Sequence, residues 1–138
     1  MGADPQQLLD LAALCGRGAV ALQSANHEVV RCASEIRWQG PAADRFHDEL
    51  ASERRSITAI TDRLQTIRSA LLRHAAWVEE RHAALRRLET RIRSWAMAHP
   101  AGSTVPGPTA AIIGHYPAPL DAEWEALARR LRSAGAVF

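Results

Sequence analysis

From Leu50 to Ile92 an aliphatic residue recurs at every seventh position without a miss: Leu50, Ile57, Leu64, Leu71, Val78, Leu85 and Ile92. Strands repeat every two residues, so this spacing fits a long α-helix whose apolar stripe packs on another helix. Beside it runs a second row: Phe46, Glu53, Ile60, Ile67, His74, Arg81, Leu88 and Trp95. Three polar residues break that row. A helix from Pro41 to about Ala98 extends ~85 Å at 1.5 Å per residue, long for a globular helix and ordinary for a coiled coil.

An earlier segment has its own seam. Asp4-Pro5 is a helix start, an Asp cap with proline in the first helical position. Leu8, Leu11, Cys15, Gly18, Leu22, Ala25, Val29, Cys32 and Ile36 follow at alternating steps of three and four. Gly16 and Gly18 lower helix propensity by about 1 kcal/mol each. Gly18 and Ala25 are therefore expected to admit a closely approaching helix. Ala12, Ala19 and Ala33 add a small-residue flank that widens the face toward a four-helix bundle. The 138 residues are 47% hydrophobic, much of it alanine, and only 5% aromatic. That composition favours an all-α fold over a sandwich, which needs β-branched and aromatic residues.

Between the seams stands Trp38-Gln39-Gly40-Pro41. Gly40 ends the first helix, Pro41 begins the second, and Asp44 puts negative charge in its first turn. Ala42 and Ala43 leave space for the Trp38 indole. The expected architecture is an antiparallel helical hairpin that becomes a four-helix bundle on dimerisation. Folding about Gln39 sets Leu50 near Val29, Ile57 near Leu22 and Leu71 near Leu8, with Glu53 close to Asn26.

The first helix runs out opposite His74, so Val78, Leu85, Leu88, Ile92 and Trp95 overhang. Each contributes about 1.5–3 kcal/mol when covered, so bare exposure of all five is not expected. A partner chain is the favoured cover, and a C-terminal helix is an additional clasp or a signal-bearing tail. The expected partner interface is Gly18, Ala25, Trp77, Val78, Leu85, Leu88, Ile92 and Trp95. The domain reading is a hairpin over 1–98, a Pro/Gly/Ala-rich linker over 99–120, and a short amphipathic helix and tail over 121–138. Asp121 caps that last helix, with Leu120, Trp124, Leu127 and Leu131 on one face.

Chemistry-bearing patterns are sparse. Cys15 and Cys32 are ~25 Å apart along one helix, too far to bridge, and read as small apolar seam residues. Glu79-x-x-His82 has the spacing of a carboxylate-bundle metal ligand pair, but Glu79 points toward solvent and the further glutamates are missing. No catalytic, metal or cofactor residue is assigned. All 17 basic residues are arginines, as in a GC-rich, for example actinobacterial, genome. Interspersed acids leave a formal charge of +2, and no nucleic-acid partner is expected. His74 and Arg81 either snorkel to water or select partner and register. Asp4, Asp10 and the lack of an early basic residue argue against a cleaved leader, and no uninterrupted apolar run suggests a membrane span.

A Trp-x-Gly turn joining two heptad helices resembles the WXG (Esx-like) family of type VII secretion, over about residues 5–97. The matched residues are Trp38 and Gly40, followed by small residues and Phe46. The resemblance implies a non-enzymatic dimer, with itself or with a second small WXG-type helical protein. It also implies export by a membrane ATPase without a cleaved signal peptide. The family's Tyr-x-x-x-Asp/Glu signal has no match, because the acid after Tyr116 is Asp121, one place late. The chain is then the passive partner of a pair or a relative no longer exported. From a different class, it is a cytoplasmic coiled-coil scaffold or chaperone whose Trp-x-Gly is only a turn. A metal-dependent bundle enzyme is a third reading, tested by metal analysis.

Overall fold

The computed structural model describes residues 4–99 and 116–138. Among the described residues the fold is all-helical: α1 (Pro5–Glu35), α2 (Pro41–Ala98) and α3 (Glu123–Ser133). Most of the expected linker lies outside the described residues. Two compact units divide within α2, Met1–Trp77 and Val78–Phe138. The expected boundary at residue 98 is therefore not where the packing changes. It changes where α1 runs out and α3 takes over.

Local chemistry accounts for the helix ends. Asp4 Oδ1 accepts the Gln6 N–H at 3.0 Å, and Pro5 opens α1. After Glu35 the backbone extends, and Gly40 adopts φ +112°, where a β-carbon is strained. Asp44 N–H then donates to the Gly40 carbonyl at 3.0 Å, closing the first turn of α2. The Trp38 ring rests 6.0 Å from that of Phe46, over the start of α2.

In the first unit α1 packs along α2. Gly18 lies beside Leu64, Gly16 beside Arg68, and Arg54 Nε donates to Asn26 Oδ1 at 3.3 Å. Residue numbers thus fall along one helix as they rise along the other. The inward rows differ from those expected in one respect. On α1, Ala12 (1% exposed) and Ala19 (2%) are buried, whereas Leu11 of the expected seam is 49% exposed. On α2, Thr61 and Ala75 are buried, whereas Ile60 and Ile67 are each 48% exposed. The shared row Leu50, Ile57, Leu64 and Leu71 is half-buried as expected. Small residues at 12, 19, 43, 61 and 75 let the backbones close up, which turns both second rows by one residue. The expected Glu53–Asn26 contact is accordingly replaced by Arg54–Asn26.

The second unit has a tighter core. Leu85, Ile92 and Trp95 of α2 pack with Trp124, Leu127, Ala128 and Leu131 of α3 and with Ala136. Asp121 Oδ1 accepts the Glu123 N–H at 2.9 Å, although the cap position itself falls one residue later, at Ala122, whose side chain makes no capping bond. Leu120 does not continue the helical face; it sits in the preceding turn with φ +64°. Gly135, at φ +99°, ends α3, and the Ala136 N–H returns to the Leu131 carbonyl at 3.0 Å.

Candidate partner-docking face

The rotation of the rows decides what remains uncovered in the first unit. On α1, Leu11, Leu14, Ala25, Val29 and Cys32 are exposed, as is Ile36 just past its end, with Gly18 half-buried among them. On α2, Phe46, Glu53, Ile60, Ile67 and His74 are exposed. A β-carbon at Gly18 would lie 3.5 Å from Leu64 Cδ1. Ile60 and Ile67 flank Leu64 at four and three residues, the spacing of side-chain neighbours on a helix. The two uncovered rows therefore lie on the same side of the pair and form one largely apolar face, interrupted on α2 by Glu53 and His74. Gly18 and Ala25 make its low ground, Ile60 and Ile67 its ridge.

The opposite side is more polar. There a groove is lined by Ala13, Gly16, Arg17, Val20, Gln65 and Arg68. A β-carbon at Gly16 would meet Arg68 Nε at 3.2 Å, so glycine makes room for the guanidinium.

Of the residues expected to meet a partner, Gly18 and Ala25 lie on the apolar face. Trp77 is 56% exposed and stacks on His74, ring centroids 5.6 Å apart. Val78, Leu85, Ile92 and Trp95 are buried and Leu88 is half-buried. Leu85, Ile92 and Trp95 are covered by the chain's own α3, so they offer no free surface to a second protein while α3 is docked. Arg81 is satisfied by Glu125 of α3 through two hydrogen bonds of 3.2 and 3.4 Å, an intrachain use absent from the expectation.

Sequence reasoning also missed how α3 is fixed. The Arg93 guanidinium lies 4.5 Å from the Tyr116 ring centre and 5.4 Å from that of Trp124. The Trp124 indole N–H donates to the Ala118 carbonyl at 2.9 Å. The aromatic spacing Tyr116–Trp124 was the available signal, but it needed α2 beneath it to be read.

Cys15 is half-buried and Cys32 exposed, so only the first fits the small-buried-residue reading. Next to Cys32, Arg31 bridges Glu28 and Glu35 along α1. The guanidinium holds the Glu28 carboxyl below its usual range. Among the described residues no group of three or more His, Cys, Asp or Glu side chains is placed to hold a metal ion.

No uninterrupted apolar run of span length occurs in α1, which Asp10 and Arg17 interrupt. By length and composition alone α1 is long and apolar enough to cross a membrane, with a window of mean hydropathy 1.2. Averaging lets its many alanines and leucines outweigh Asp10 and Arg17, which an uninterrupted-run criterion does not. A charged side chain at mid-bilayer costs about 2.5–3.5 kcal/mol on insertion scales. Only 11% of that window is fully buried within the chain, with Leu8, Leu9, Cys15 and Leu22 half-buried against α2.

No family model, no curated protein and no solved structure matches the chain.

Proposed function

We propose that residues 5–77 form an antiparallel helical hairpin that docks on a second small helical chain through its apolar face. In this reading the protein is a non-enzymatic, Esx-like substrate or co-substrate of type VII secretion, exported by a membrane ATPase. The observation that carries the docking reading is the set of large apolar side chains left exposed on one side of the unit. Leu11, Val29, Ile36, Ile60 and Ile67 are each at least 40% exposed on one side of the unit. A patch of this kind marks a protein interface more often than a solvated surface. The secretion reading rests on Trp38-Gln39-Gly40 at the α1–α2 junction, where Gly40 holds the left-handed backbone and the indole stays accessible beside Phe46. Because Leu85, Ile92 and Trp95 are occupied by α3, the proposed interface is confined to the first unit.

Co-production with a candidate small helical partner, followed by separation of cells and medium, tests both halves. A complex in which Trp38→Ala abolishes export but leaves assembly intact supports the reading. Assembly that persists while wild-type chain never reaches the medium of a type VII-competent host favours the alternative, a cytoplasmic coiled-coil scaffold whose Trp-x-Gly is only a turn. Absence of any complex contradicts the docking reading itself.

A further inference from the structure

The groove on the polar side of the first unit collects hydrogen-bond donors and no carboxylate. Its polar side chains are Arg17 on α1 and Gln65, Arg68 and Ser69 on α2. Positions 65, 68 and 69 share one helix face, because residues three and four apart are neighbours there. The two guanidiniums are donors only, and the amide and hydroxyl donate as well. Along α1 no Asp or Glu occurs from Leu11 to His27, and along α2 none occurs from Arg63 to Val78. Of the acids that border these stretches, Asp10 accepts from Gln6 Nε2 at 2.9 Å, and Asp62 lies a turn before Gln65. Among the described residues the ion pairs are made by Arg31, Arg81 and Arg93, so Arg17 and Arg68 reach the groove without a carboxylate partner.

A missing side chain gives Arg68 its place. Its Nε and Cδ lie 3.2 and 3.3 Å from where a Gly16 β-carbon would stand, so its stem fills space that any other residue at 16 would take. Two like charges lining one groove repel each other, and a doubly charged anion between them removes that repulsion. A tetrahedral phosphate suits donors that arrive from two helices, and the arginine fork matches its oxygens.

We infer that this groove binds a phosphate group, free or as the monoester of a small molecule, held by Arg17 and Arg68 with Gln65 and Ser69 as further donors. The site lies on the side of the first unit away from the apolar face, so its test is independent of the docking reading.

Amide NMR of the isotope-labelled full chain, titrated at constant ionic strength with inorganic phosphate or with glycerol phosphate, tests it. Saturable shifts centred on residues 13–21 and 65–69 are expected. Arg17→Gln and Arg68→Gln are each expected to weaken binding roughly tenfold, the loss of one charge-assisted contact. Gly16→Val removes no donor but crowds the Arg68 stem, and is expected to weaken binding roughly fivefold. Arg63→Gln, an equal loss of charge outside the groove, is expected to leave the affinity unchanged. Tighter binding of glycerol phosphate identifies a monoester as the ligand, and tighter binding of inorganic phosphate the free ion. Shifts that never saturate, or that Arg63→Gln diminishes as much as Arg68→Gln does, overturn the site. Binding to phosphatidic acid vesicles with no response to either soluble phosphate overturns it as well. Unchanged circular dichroism of each variant establishes that a loss is not misfolding.

Discussion

At the residue scale the most constrained backbone position is Gly40. Its φ of +112° is one that a residue with a β-carbon reaches only with strain, although nothing lies within 4 Å of that carbon's place. Gly40→Ala is therefore expected to lose about 1–2 kcal/mol through backbone strain alone, measured by urea unfolding. Trp124 is the largest fully buried side chain, and its ring N–H is satisfied by Ala118. Trp124→Ala is expected to cost about 3–5 kcal/mol in the second unit, read as a lowered unfolding midpoint. Glu28 gives a pH signature of known sign. Arg31 depresses its pKa from the ordinary 4.5, so its contribution is present above that value and fades as pH falls through the lower folded value. Because the pair is exposed, only a slight loss of α1 helicity on acidification is expected. Glu28→Gln should remove that component of a circular-dichroism titration.

At the element scale the helix limits were legible in the chain. Asp4-Pro5, the Trp38–Pro41 break and Asp121 are caps and stops with local causes, and the structure uses all three. The inward row of heptad leucines and isoleucines was legible for the same reason, since periodicity depends on no partner. The rotation of each helix about its axis was not. Leu11 and Ala12, like Ile60 and Thr61, compete for adjacent positions, and the winner depends on how close the neighbouring backbone comes. Ala19 and Ala75 settle that in favour of the small row, and the bulky row is left outside. The same reasoning predicts that Ala19→Leu will force the helices apart. Overpacking of this kind costs about 1–3 kcal/mol, detectable by thermal unfolding. Docking of α3 was half legible: its amphipathic face was plain, but whether it or another chain covered Ile92 depended on contacts beyond local pattern. Leu131→Asp places a charge in that core and is expected to release α3, exposing Leu85, Ile92 and Trp95 to a hydrophobic dye.

At the scale of the whole molecule, the two units meet the same physical requirement differently. In the second, α3 covers what α2 leaves, and the core closes within the chain. In the first, α1 and α2 bury small side chains against each other, half-bury Leu50, Ile57, Leu64 and Leu71, and leave Leu11, Ile60 and Ile67 about half in water. The account therefore places association in the first unit and treats the second as already satisfied. Sedimentation equilibrium of the full chain, with and without Ile60→Asp and Ile67→Asp together, tests this most directly. The expected result is an assembly heavier than the 15.1 kDa chain, with a second copy or with an added small helical partner, for the unmodified protein and the single-chain mass for the folded variant. An unmodified chain that stays at 15.1 kDa both alone and with the partner, or a variant that assembles as well as it does, would contradict association through the first unit.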